Sequence, residues 1–136
     1  MSNAKRKYAI LVVDDDPKIR ELVQAFFTLR SEEVTCVTAA DVQQAGLKLS
    51  NQDFDMILID NIMPVKTGID YALFLRRSIK YARTPIILMS GALSQEDVFK
   101  AIEGGIKDIL VKPFTLKQLS EKITPYIKKA LMSDPG

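Results

Sequence analysis

A chain of 136 residues with 47% apolar and 26% charged residues is long enough for one well-cored domain and short for two. Nineteen Lys and Arg against 17 Asp and Glu leave a formal charge of only +2, which excludes a disordered polyelectrolyte, and the one tight basic cluster, Lys5-Arg6-Lys7, reads as a solvated terminus. The complete absence of His excludes triads that use His as base, the commonest zinc sites, and any phosphohistidine chemistry of the chain's own.

Met1-Ser2-Asn3-Ala4 resembles the remnant of an expression tag, so residues 1–7 are expected to be tag or disordered terminus. Tyr8 to Val13 is an apolar run that ends in Asp14, Asp15 and Asp16. Pro17 opens a helix with Asp16 as its cap, and Ile19, Leu22, Val23 and Phe26 form the expected buried stripe. Val34 to Val37 is a short β-branched strand containing Cys36, which has no partner for an internal disulfide and is expected to be a buried thiol. Asp41 caps a second helix through about Leu49, with Val42, Ala45 and Leu49 inward.

Met56-Ile57-Leu58-Ile59 reads as a strand buried on both faces, ending abruptly in Asp60-Asn61-Ile62-Met63-Pro64. On this stretch alone Asp60 fits a turn as well as it fits a site. Lys66-Thr67-Gly68 is a turn, and Thr67 with Asp70 caps a third helix carrying Ile69, Ala72, Leu75 and Ile79. Pro85 to Met89 is a fourth strand ending in Ser90-Gly91, and Ser94 with Asp97 caps a helix containing Val98, Ala101 and Ile102 that stops at Gly104-Gly105. Ile109-Leu110-Val111 is the fifth strand, followed by Lys112-Pro113-Phe114. A last helix from about Thr115 buries Leu116, Leu119 and Ile123, with a kink or frayed final turn expected at Pro125. The domain is thus expected over residues 8–131, with 132–136 as tail or start of a linker.

Five alternations of strand and helix call for an α/β fold, a doubly wound parallel sheet with helices on both faces. Parallel strands bring Asp14, Asp15, Asp60, Ser90 and Lys112 to one sheet edge, where ligands of open α/β sheets bind. Each residue has a dull explanation singly, as cap, turn, loop or surface residue; four reactive strand ends together favour a site. Three carboxylates crowded together repel one another, and a hard divalent ion such as Mg2+ held by oxygen ligands relieves that repulsion. An ion, a lysine and a hydroxyl around a carboxylate suit a phosphoryl group, with the carboxylate as nucleophile.

The set Val13-Asp14-Asp15, Asp60-Asn61-Ile62-Met63-Pro64 with Gly68, Ser90-Gly91 and Lys112-Pro113-Phe114 resembles the receiver domain of two-component response regulators, over Tyr8 to about Leu131. The resemblance implies a flavodoxin-like five-stranded sheet in the order 2-1-3-4-5. It implies that Asp60 accepts a phosphoryl group from a phosphohistidine on a sensor histidine kinase or phosphotransfer protein. It further implies Mg2+ held by Asp15, Asp60 and the carbonyl of Ile62, with Asp14 acting largely through water. Lys112 and Ser90 contact the phosphoryl group, helped by backbone amides near Asn61 and Gly91. Such a domain catalyses its own phosphorylation and dephosphorylation and is not a turnover enzyme on a separate substrate. A downstream protein partner, no direct nucleic-acid or membrane contact and a cytoplasmic setting are expected, and a homodimer is allowed.

Four positions depart from the family, one of them Ile106, where Gly105-Ile106 replaces the common Gly-Ala and should alter only local packing. Ile109 stands where a Tyr or Phe is frequent, which puts the usual aromatic readout in doubt. Ile62 and Ala92, two residues past Asp60 and Ser90, leave the path of the attacking water without a polar escort. Hydrolysis is then expected to be set by the core residues, so Ala92→Glu or Ile62→Asn should change its rate strongly, and an unchanged rate would count against this.

The competing readings are a phosphorylation-independent interaction module of the same fold, a flavin or nucleotide binder, and an aspartate-nucleophile phosphatase. The second lacks a Gly-rich phosphate loop after the first strand. For the third, Asp14 and Asp16 have the right spacing, but Pro17 and the lack of a cap domain weaken it.

Overall fold

The computed structural model describes residues 6–63 and 66–133. The tag-like Met1-Ser2-Asn3-Ala4, Pro64 of the Asp60 motif and Asp134-Pro135-Gly136 of the tail lie outside the described residues. Five strands, β1 (Tyr8–Val13), β2 (Val34–Ala39), β3 (Met56–Asp60), β4 (Ile86–Ser90) and β5 (Asp108–Val111), alternate with helices α1 (Pro17–Thr28), α2 (Val42–Asn51), α3 (Gly68–Arg76), α4 (Gln95–Glu103) and α5 (Leu116–Ser133). The strands form one sheet in the order β2-β1-β3-β4-β5, and every pairing is parallel. This is the flavodoxin-like arrangement that the family resemblance implies.

Side-chain alternation along the buried strands splits the core into two layers. Ile10, Val12, Met56, Leu58, Ile87 and Met89 pack with Val23 and Phe27 of α1 and with Leu119, Ile123 and Ile127 of α5. Leu11, Val13, Ile57, Ile59 and Leu88 pack on the other face with Ala45 of α2, Ile69, Ala72 and Leu75 of α3, and Ala101 of α4. Burial on both faces explains why β1, β3 and β4 read as unbroken apolar runs.

Helix starts fall where the sequence places them. Asp16 accepts from the Lys18 amide at 2.9 Å, Asp41 from Gln44 at 2.8 Å, Thr67 from Asp70 at 3.2 Å and Ser94 from Asp97 at 3.0 Å. Thr115 and Gln118 add a reciprocal capping box at α5.

Several expectations are corrected. In α1 the buried ring is Phe27, one turn on from Val23, while Phe26 lies edge-on against it at 5.2 Å and under the Arg30 guanidinium. Ile79 is 99% exposed because α3 stops at Arg76. The chain then turns under the Arg76 guanidinium, which donates to the carbonyls of Tyr81, Thr84 and Gly105, and Tyr81 takes the buried place. Leu116, the first residue of α5, is exposed, and the buried stripe begins at Leu119. The last helix continues through Pro125 to Ser133, so its final turns are formed. Cys36 is only partly buried on the edge strand β2, with burial still pushing its thiol up to about 12. No helix among the described residues is long and apolar enough to cross a membrane.

Candidate functional site at the carboxyl edge of the sheet

The strand register levels the ends that matter. Val13 pairs with Ile59, Asp60 with Met89 and Ser90 with Val111, so Asp14, Asp60, Ser90 and Lys112 leave four adjacent strands at one height. The connections from β1 and β3 diverge to opposite sides of the sheet, which opens a crevice between their carboxyl ends.

Asp14 is wholly buried and held at four points. Its N–H donates to the Ala39 carbonyl at 3.1 Å, and its own carbonyl accepts from Arg20 Nη1 at 2.7 Å. Its Oδ1 accepts from the Asp16 amide at 2.9 Å and its Oδ2 from Lys112 Nζ at 2.7 Å. Asp15 is exposed. One carboxylate oxygen each from Asp14, Asp15 and Asp60 lie within 4.8 Å of one another. Hard oxygen donors at this spacing on an acidic edge suit a hard divalent cation.

Asp60 is buried at 5% exposure, and its Oδ1 lies 3.0 Å from Lys112 Nζ. Burial raises its pKa above the ordinary value, Lys112 opposes that rise, and Asp14 and Asp15 add to it, so the carboxyl ends up raised. Burial alone pulls Lys112 down, yet hydrogen bonds to Asp14 and Asp60 outweigh it, and the ammonium is held above its usual range. A lysine clamped between two buried carboxylates is a fixed positive charge.

Ser90 is buried at the end of β4, and its Oγ accepts from the Ala92 amide at 3.3 Å. Gly91 beside it is exposed, as are Ile62 at 67% and Ala92. Asn61 is buried beside Asp60. Its N–H donates to the Met89 carbonyl at 2.9 Å, its carbonyl accepts from Gly68 N at 2.8 Å, and its Oδ1 accepts from the Ile69 amide at 3.1 Å. In this arrangement the amide of Asn61 is engaged within the protein, and the residue ties the Asp60 loop to the start of α3. The Lys112-Pro113 peptide is cis. Ile109 is half-buried against the core layer of α3 and α4.

All the residues expected at the edge, Asp14, Asp15, Asp60, Ser90 and Lys112, are therefore brought to it. Sequence reasoning missed Arg20 and the Asn61 side chain. The available signal for Arg20 was its place one helical turn beyond the Asp16 cap, which returns a long cationic side chain to the acidic loop.

The model of the response regulator receiver domain family matches residues 10–124. The nisin biosynthesis regulatory protein NisR of Lactococcus lactis subsp. lactis is 37% identical over 125 residues, covering 90% of this chain and 51% of NisR. The chain spans about half the length of the curated relatives it matches. Among solved structures, the chemotaxis protein CheY4 of Vibrio cholerae superposes with a TM-score of 0.79 at 31% identity, covering 89% of this chain and 99% of that one. The receiver domain of the sensor histidine kinase PA1611 from Pseudomonas aeruginosa PAO1, with a magnesium ion coordinated in its active-site cleft, superposes at 0.75 and 28% identity, covering 90% and 99%.

Proposed function

The chain belongs to the response regulator receiver domain family, and from that membership and the geometry of the carboxyl edge we propose that Asp60 is its phosphoryl-accepting nucleophile. The observation that carries this is the buried Asp60 carboxylate held 3.0 Å from Lys112 Nζ, with two further aspartates of the same cluster beside it. An Asp60 oxygen attacks the phosphorus of a phosphohistidine on a partner kinase or phosphotransfer protein. The P–N bond breaks, the histidine leaves, and an aspartyl phosphate remains. Lys112, already paired with Asp60, keeps a positive charge beside the added oxygens. Ser90 supplies a hydroxyl from the neighbouring strand, and exposed Gly91 leaves an open approach beside it. Water attacking the same phosphorus releases inorganic phosphate and restores the carboxylate, which makes the modification a timed state.

Asp14, Asp15 and Asp60, with the main chain at Ile62, would hold Mg2+. When bound, the ion supplies charge neutralisation for phosphoryl oxygens in a site otherwise too acidic to accept them. Phosphorylation then biases a surface read by a downstream protein, in a reducing cytoplasmic setting.

The test is intact-mass spectrometry after incubation with acetyl phosphate, with and without Mg2+, on the wild type and Asp60→Asn. A Mg2+-dependent gain of one phosphoryl group that vanishes in the variant is expected. No adduct, together with a silent beryllium fluoride titration, would instead assign the fold to a phosphorylation-independent interaction module.

A further inference from the structure

Arg20 takes no part in the chemistry above, yet from the second turn of α1 its Nη1 donates to the main-chain carbonyl of Asp14 at 2.7 Å. That carbonyl belongs to the peptide unit joining Asp14 to Asp15. A peptide unit is planar, so fixing its oxygen also fixes the N–H and Cα of Asp15. Asp14 has three other anchors, at Ala39, Asp16 and Lys112, and does not depend on Arg20 for its own place. Asp15 has none: its side chain is exposed and makes no hydrogen bond among the described residues. The point from which the Asp15 carboxylate projects is therefore set through the main chain, and among the described residues Arg20 is the one side chain that grips that peptide.

We propose that Arg20 is a positioning residue for the divalent-cation site, acting through the Asp14 carbonyl to aim the Asp15 carboxylate at the Asp14–Asp60 pair. The inference rests on the reading of that cluster as a cation site. Charge and positioning make opposite predictions for it. Removing a guanidinium near a cation site strengthens cation binding if only charge matters, whereas loss of the grip on the Asp14–Asp15 peptide weakens it.

The test is isothermal titration of Mg2+ into the metal-free full chain, with thermal melts recorded without the ion. Arg20→Met keeps the length of the stem and removes the donors, and should weaken Mg2+ binding roughly tenfold, the usual scale for outer partners of metal ligands. Arg20→Lys keeps one cationic donor, sufficient for a single carbonyl, and should regain most of the loss. Should Arg20→Met fail to fold, Arg20→Gln, whose amide falls short of the carbonyl, replaces it. Binding in the donor-free variant as tight as in the wild type, or tighter, overturns the proposal, as does an equal loss in the Lys variant. A wild type that binds no Mg2+ overturns the cation-site reading beneath it, a separate and distinguishable result.

Discussion

Lys112 Nζ lies 3.0 Å from Asp60 Oδ1 and, by the same ammonium, 2.7 Å from the wholly buried Asp14. One cation thus compensates two carboxylates that have almost no water to solvate them. Replacing it should leave both charges uncompensated, and breaking such a buried pairing costs about 3 kcal/mol.

We expect Lys112→Met to lose about that much stability at neutral pH without Mg2+, read by urea denaturation. Millimolar Mg2+ should return part of it by supplying another cation. The pH dependence has a definite sign. The folded-state pKa of Lys112 is raised above its ordinary value of 10.5, so its contribution is fully present below that value and fades as pH rises through the higher, folded one. The wild type should therefore lose stability on the alkaline side and the variant should not. Equal stability of the two proteins at pH 7 would show that the clamp contributes nothing.

Asp60 has the opposite consequence. Its pKa is raised chiefly by burial, so the folded state prefers the protonated acid. That contribution is fully present below the ordinary value of 3.8 and is lost as pH rises through the folded value. At neutral pH the ionised Asp60 is a cost of the site. Asp60→Asn removes the cost and leaves Lys112 paired with Asp14, so it should melt a few degrees higher without Mg2+, on the order of 1 kcal/mol. The gap should close as pH falls into the acid range. A variant less stable than the wild type at pH 7 would contradict the burial argument.

The layout of the site was legible because it rests on strand ends, and apolar runs that stop in Asp60, Ser90 or Lys112 announce themselves. Details of helix faces were less legible. Phe26 and Phe27 are equally apolar, and a one-residue shift of register exchanges their environments without altering any local propensity. Ile79 and Leu116 were misplaced for a related reason: periodicity does not say where a helix ends, and Arg76 ends α3 through tertiary contacts with distant carbonyls. Cys36 was misjudged because its β-branched run reads as buried, whereas the edge position of β2, already implied by the 2-1-3-4-5 order, leaves the thiol only partly covered.

Phenylalanine truncation measures the first of those differences. Phe27 is 1% exposed at the centre of the α1–α5 layer, so Phe27→Ala should cost about 3–5 kcal/mol. Phe26 is partly exposed, and Phe26→Ala should cost roughly half as much or less. Equal losses in thermal or urea unfolding would mean that the two rings share the core evenly.

Gly68 joins the fold to the site. A Cβ there would fall 2.2 Å from the Asp60 carbonyl oxygen and 2.8 Å from Asn61 Cα, both backbone atoms with no rotamer to move aside. The same glycine donates its amide to the Asn61 carbonyl at 2.8 Å, and Asn61 Oδ1 accepts the next amide, that of Ile69, so the start of α3 is sewn to the loop that carries Asp60. Gly68→Ala must therefore push α3 or the Asp60 loop away. Overpacking of this kind costs about 1–3 kcal/mol, and displacement of the nucleophile by even a fraction of an ångström should slow phosphorylation disproportionately. The expected result is a variant that still folds, with a lower urea midpoint and a phosphorylation rate from acetyl phosphate reduced on the order of tenfold or more. Gly46 is the control, because a Cβ there meets nothing within 4 Å and Gly46→Ala in α2 should be neutral or stabilising. If Gly68→Ala instead matched the wild type in both stability and rate, the close approach between α3 and the Asp60 carbonyl would not be a feature of the protein in solution.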